Sequence, residues 1–373
     1  MRGFDVLILG AGIVGCACAL ECVRAGLRVG IIERDVPGGA TTAAGMGHIV
    51  VMDDSPAQLA LTRYSRSLWQ DLLPHLPVGV EYERRGTVWV AADDEEMGEV
   101  HAKRKTYALA GVESEVLDER ALAAAEPNLR AGLAGGLLVL DDAVIYPPTA
   151  AAFFLHEAVR GGAVLLRGQG ADHIGKGIVT LRDGTTYAAD RIVVATGADI
   201  ALLPWLPIQK RKGHLLITDR YPGFLHHQLV ELGYLKSAHQ ISSDSVAFNI
   251  QPRLTGQLLI GSSRQYGNEE PGIDQRILRS MLERARSYMP ALAGISGIRA
   301  WTGFRAATPD KLPLIGPTDE PTIFLAMGFE GLGITNAPGA AKLLVDNLLG
   351  RASEIDAVPF LPLRIAQMEA NHA

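Results

Sequence analysis

The feature that most constrains this chain stands at its start. Residues 4–9 read as a parallel strand buried on both faces, and Gly10-Ala11-Gly12-Ile13-Val14-Gly15 follows at once. A helix is predicted over residues 13–25, closed by Gly26, and a second buried strand over 28–33 ends on Glu33. The glycines at this spacing have separate duties. Gly10 permits the tight turn, Gly12 lets main-chain amides approach a pyrophosphate, and Gly15 lets helix and strand pack closely. The helix start then offers phosphates its unpaired N–H groups and the positive end of its dipole. Glu33 stands 23 residues after Gly10, where an acid can hold ribose hydroxyls. A tight turn with no ligand has no use for that acid. The unit predicts dinucleotide binding at an α/β, Rossmann-like sheet, with Ile13, Val14 and Arg34 beside the nucleotide.

Two later segments point to the same crevice. Residues 192–195 read as a buried strand ending in Thr196-Gly197, and Gly328, Gly331 and Gly333 precede a predicted helix over 337–349. That helix would aim its first amides at a flavin ring, whose N1 and O2 edge gains negative charge on reduction. The chain holds one G-x-G-x-x-G, whereas flavoproteins reduced by NAD(P)H commonly carry two. Electrons are therefore expected from an organic substrate.

Between these segments the texture varies. Residues 37–47 read as a loop, 57–73 and 93–111 as helices, and 88–90 and 133–140 as strands. A helix is predicted over 148–160, a strand over 163–166, and a small hairpin over 177–182 and 185–188. Strands over 215–218, 245–250 and 257–260, a helix over 273–288 and a strand over 322–326 complete the reading.

Composition excludes other classes. Glycine accounts for 41 of 373 residues, about 11% against a usual level of about 7%, without the three-residue period of collagen. A net charge of −6 argues against nucleic acid, which needs a basic face. Cys16, Cys18 and Cys22 fall within one predicted helix, where a disulfide is geometrically disfavoured and no histidine completes a zinc set. They read as small buried side chains in a reducing compartment, and no metal site is expected. The apolar run 6–20 is bounded by Asp5 and Glu21 and is too short to span a bilayer. The chain is expected in the cytoplasm, with peripheral contact at the inner face of a membrane at most.

In their order, the N-terminal block, Ala195-Thr196-Gly197, the segment Gly303-Phe304-Arg305 through Pro313-Leu314-Ile315-Gly316, and Gly328-Phe329-Glu330-Gly331-Leu332-Gly333-Ile334-Thr335 resemble the D-amino-acid oxidase family. The stretches 331–335 and 257–263 are most similar to its hydrogen cyanide synthase and D-hydroxyproline dehydrogenase branch. The resemblance implies a Rossmann-like FAD domain interleaved with an α+β substrate domain whose mostly antiparallel sheet roofs the flavin. Residues 1–78, 141–207 and 306–373 would form the first domain, and 79–140 and 208–305 the second. Thr41, Thr42, Gly45, Met46 and Gly47 would join Gly10, Gly12, Gly15 and Glu33 around the nucleotide. Gly197, Gly303, Gly328, Gly331, Leu332, Gly333, Ile334 and Thr335 would complete the flavin site. With no cysteine in the C-terminal half, the FAD is expected to be non-covalent.

Arg305 matches the arginine that pairs with the substrate carboxylate, and its planar fork of donors suits that task independently. A structural ion pair with Asp310 is the competing reading. His48, Asn249, His214, Tyr234 and His239 are candidate pocket residues. His48 and Asn249 stand with Arg305 as the catalytic set, Phe248 and Asn249 occupying the place of a carboxylate-binding tyrosine found in some relatives. The implied activity is oxidation of a D-amino or cyclic imino acid by hydride transfer from Cα to flavin N5. The specific expectation is cis-4-hydroxy-D-proline, with a quinone or electron-transfer partner as acceptor. A glycine, sarcosine or D-amino-acid oxidase using oxygen, and a flavin electron-relay subunit, are the alternatives.

Overall fold

A computed structural model describes residues 3–233 and 244–365. Its first sheet runs Leu314–Pro317, Ile323–Met327, Thr186–Val194, Gly3–Leu9, Val29–Glu33, Val164–Arg167, with the strands 178–181 and 171–175 extending from Thr186–Val194. The pairings around Gly3–Leu9 are parallel, as expected for strands whose residues are apolar on both faces. Helices Ile13–Arg24, Pro147–Arg160 and Gly333–Leu349 cover one face, and Pro56–Leu72 packs on Gly333–Leu349.

The second sheet has eight strands in the order Gly297–Ala307, Gln209–Arg220, Gln257–Arg264, Ser245–Pro252, Gln228–Glu231, Thr87–Ala91, Gly135–Val139, Ser114–Asp118. All its pairings are antiparallel except that of Gln228–Glu231 with Thr87–Ala91. Helix Gln275–Tyr288 backs it, with Phe248 stacked on Tyr288 at 4.8 Å between ring centres. The architecture is the α/β sheet plus mostly antiparallel sheet that the resemblance implies.

Several elements differ from the sequence reading. The loop over 37–47 contains the short helix Ala40–Ala44. One arm of the hairpin and the buried strand are a single strand, Thr186–Val194, because its first half pairs antiparallel with Ile178–Leu181 and its second half parallel with Gly3–Leu9. Arg305 lies inside the strand Gly297–Ala307, which also crosses the expected domain boundary at 305/306.

The last helix starts at Gly333, four residues earlier than expected, although Pro338 lies within it. Proline cannot donate to the carbonyl one turn back. That carbonyl belongs to Ile334 and instead accepts from Trp69 Nε1 at 3.2 Å. A tryptophan from a distant helix thus satisfies the gap and keeps the first turn helical.

Candidate active site

A cavity of about 810 Å³ runs between the two sheets. Its first wall is mostly main chain. Gly10 has φ of +102°, and a Cβ there would lie 2.6 Å from the Ala195 carbonyl oxygen. A Cβ on Gly15 would lie 2.0 Å from the Gly10 oxygen, so this glycine sets the contact between turn and helix and does not face the cavity. Helix Ile13–Arg24 has no side-chain cap from its N-cap residue Gly12, but Thr42 Oγ1 accepts from the Ile13 N–H at 3.1 Å. Glu33 closes the adjoining edge, accepting from the Ala11 and Asp35 N–H groups, each at 2.7 Å.

The remaining nucleotide-side candidates fall into place around this turn. Gly12, Ile13, Val14, Arg34, Thr41, Gly45, Met46, Gly47 and Gly197 line the same cavity as Gly303, Gly328, Gly331, Leu332, Gly333 and Ile334. Thr335 does not. Its hydroxyl turns back to donate to the His48 carbonyl at 2.8 Å. The glycine turn 328–333 is held by Glu330, whose backbone is left-handed at φ +53° and whose side chain pairs with Arg211.

The opposite wall is made of side chains. Alternation along adjacent strands brings Thr87 and Trp89, Gln228 and Val230, Asn249, Ser262 and Arg264, Arg211 and Gly213, and Arg305 to one face. Arg305 donates to the Ser263 carbonyl at 3.0 Å. Asp310 is bound to Arg364 at 2.6 Å, so the carboxylate considered as the arginine's structural partner is engaged elsewhere. Asn249 faces the cavity while Phe248 faces helix Gln275–Tyr288, which separates the two neighbours that the sequence considered together.

His48 joins the walls, paired across Val144 in a two-stranded ribbon. Burial depresses its pKa to about 4, against a hydrogen bond with Gln251 that favours the cation, with the nearby Arg305 charge adding to the depression. The ring is neutral at ordinary pH, and its Nε2 has no hydrogen-bond partner among the described residues. Beneath Thr87, Asp142 is fully buried, bound to Arg66 at 2.9 Å and to the Thr87 hydroxyl at 2.6 Å. Burial raises its pKa to about 6 in spite of the Arg66 charge.

His214 corrects the sequence reading. It lies behind the sheet, with its ring held between Ser263 and the Asp274 N–H, and does not line the cavity. The reason is the two-residue period: Arg211 and Gly213 take the cavity face of their strand, which sends His214 to the other. Tyr234 and His239 lie outside the described residues. Gly213, Ser262 and Arg264 were not singled out. The alternation within 209–220 and 257–264 could have found them once Arg305 was placed on the neighbouring strand.

The cavity reaches from a glycine turn with an acid at its edge to the half-buried Arg305. The first wall turns the main chain of Gly10, Gly12 and Gly197 to the cavity with Glu33 at its edge, and these residues fit a dinucleotide cofactor there. The family model for FAD dependent oxidoreductases of the DAO type matches residues 5–347. The chain belongs to this family. It is 28% identical to glycine oxidase from Pseudomonas aeruginosa, the alignment covering 96% of this chain and 98% of that protein. It is 25% identical to hydrogen cyanide synthase subunit HcnC of the same organism, covering 97% and 96%. Among solved structures, glycine oxidase from Geobacillus kaustophilus superposes with a TM-score of 0.86 at 24% identity, covering 97% of this chain and 98% of that one. FAD is the cofactor of the family, and among the described residues no group of acidic, histidine or cysteine side chains is arranged to hold a metal. No described helix is long and apolar enough to cross a membrane.

Proposed function

We propose that this protein oxidises a D-amino or cyclic imino acid at Cα, with cis-4-hydroxy-D-proline as the specific substrate and 1-pyrroline-4-hydroxy-2-carboxylate as the product. The observation that carries this reading is the Arg305 guanidinium, set in the cavity wall beside Gly331 of the second glycine turn. A planar, permanently charged fork matches a carboxylate and fixes which end of the substrate faces the cofactor. Gly10, Gly12, Glu33, Arg34, Gly197, Gly331 and Gly333 would hold FAD non-covalently, and the bound flavin would supply a hydride acceptor at N5. Neutral His48 adds no positive charge to a site where the substrate amine must shed its proton before oxidation. Asn249 and Ser262 place polar groups on the same wall, suited to a ring hydroxyl. Two electrons and a proton leave as hydride and the amine gives up its remaining proton, so the C–N bond becomes an imine. Acting as a dehydrogenase, the protein would pass the electrons to an acceptor other than oxygen, such as a quinone or an electron-transfer partner.

The test is anaerobic flavin bleaching of the purified holoprotein with D- and L-amino acids, glycine, sarcosine, and the isomers of proline and hydroxyproline. The expected result is fastest bleaching by cis-4-hydroxy-D-proline. Bleaching by L-isomers alone would refute the stereochemistry. Peroxide release at the rate of turnover in air would move the assignment to an oxidase, and no bleaching by any amino acid would leave the protein an electron relay.

A further inference from the structure

We infer that Gly213, Ser263 and His214 form a cradle that fixes the Arg305 guanidinium, making them positioning residues for the substrate carboxylate. The inference rests on the carboxylate role proposed for Arg305.

Gly213 lies on the strand paired with that of Arg305, opposite Gly303 and two positions from Arg211, which faces Arg305. A Cβ on Gly213 would fall 2.5 Å from Nη1, 3.0 Å from Cζ and 3.1 Å from Nη2 of Arg305. The guanidinium therefore lies over the main chain of Gly213. Gly213 does not take a positive φ, so its backbone is one that alanine also adopts. The space taken by Arg305 is what excludes a side chain there.

The second support comes from the next strand. Nη1 of Arg305 donates to the Ser263 carbonyl at 3.0 Å. The Ser263 hydroxyl oxygen lies 2.9 Å from the His214 main-chain nitrogen and 3.0 Å from its Nδ1. On the far side of the ring, Nε2 accepts from the Asp274 N–H at 3.0 Å, at the start of helix Gln275–Tyr288. An accepting Nε2 assigns the proton to Nδ1, so the neutral ring donates to Ser263. A line of contacts thus runs from a helix N-terminus through His214 and Ser263 to the guanidinium. His214 is fully buried and touches neither cofactor wall nor cavity, so its influence on substrate passes through Arg305.

The test uses the FAD-loaded protein and benzoate, a carboxylate that cannot be oxidised, titrated while flavin absorbance is followed. Gly213→Ala should weaken benzoate about tenfold with flavin content and thermal midpoint unchanged. The loss should vanish in an Arg305→Leu background, because the alanine methyl acts only by moving that side chain. His214→Ala should weaken benzoate as well, and His214→Asn, whose amide N–H takes the place of Nδ1–H, should recover most of the affinity. Wild-type binding by Gly213→Ala alongside loss in Arg305→Leu would overturn the cradle and leave the role of Arg305 intact. An additive loss in the double variant would also overturn it. Wild-type binding by Arg305→Leu would remove the carboxylate role itself, and the cradle with it.

Discussion

The two walls of the cavity solve the same problem with opposite materials. On the nucleotide side, residues 10, 12–14, 197 and 328–333 bring main chain to the ligand, and side chains such as Thr42 and Glu33 serve mainly to satisfy amides of the turn. On the sheet side, Arg211, Asn249, Ser262, Arg264 and Arg305 bring side chains, and glycine appears where one of them needs room. Main chain is the same in every residue, so the first wall can hold a cofactor common to a whole family. Side chains are individual, so the second wall is where relatives of such a chain would part in substrate.

This contrast predicts effects of different kind and size. The largest belongs to the first wall. Gly15→Val would push a Cβ that already falls 2.0 Å from the Gly10 oxygen, and backbone cannot yield as a side chain can. The expected cost exceeds about 3 kcal/mol, and the product should be recovered without flavin, as read from the visible-to-ultraviolet absorbance ratio. Recovery of fully loaded, stable protein would break the distinction between the walls.

Arg305→Leu should act on the second wall alone, weakening carboxylate substrates by about 100-fold while the flavin content stays stoichiometric. Anaerobic titration of flavin reduction measures both quantities on one sample.

A third effect concerns His48 at the seam. Its folded pKa of about 4 is lower than the ordinary 6.5, so the unfolded chain binds the proton more readily. Its contribution to stability is present above pH 6.5 and is lost as pH falls towards 4, by about 2–3 kcal/mol. Thermal melts across that range should show a shallower pH slope for His48→Asn than for the wild type. Equal slopes would mean that His48 does not stay neutral on folding.

The smallest effect is a matter of access. Cys16, Cys18 and Cys22 are free and buried, and burial pushes the Cys22 thiol up to about 12. A thiol-reactive disulfide should label none of them in the folded protein and all of them in guanidinium chloride.

The same contrast explains what could be read from the sequence. Gly10, Gly12, Gly15 and Glu33 belong to one strand-turn-helix-strand unit, where function follows from spacing along a short stretch. The cavity position of Asn249 and the retreat of His214 depend instead on which strand each residue is paired with and on which face. A one-residue change of register reverses that choice. The early start of the last helix was hidden for a related reason. Pro338 argues locally for a later start, and the group that answers it, Trp69, is 269 residues away in sequence. The long strand Thr186–Val194 was split because its two halves pair with different partners in opposite senses.

The stitch between Trp69 and the start of helix Gly333–Leu349 also bears on how the protein is made. On the ribosome, the glycine turn of residues 10–15 emerges more than 300 residues before the turn of residues 328–333 that completes the same wall of the cavity. Until that second turn is released, the nascent chain has half a binding site, and the apolar surfaces of helices Ile13–Arg24 and Pro56–Leu72 await the helix that covers them. Cofactor capture therefore waits until residues 328–333 have been released, and the pool of free FAD at that moment bears on how much of the newly made chain escapes aggregation.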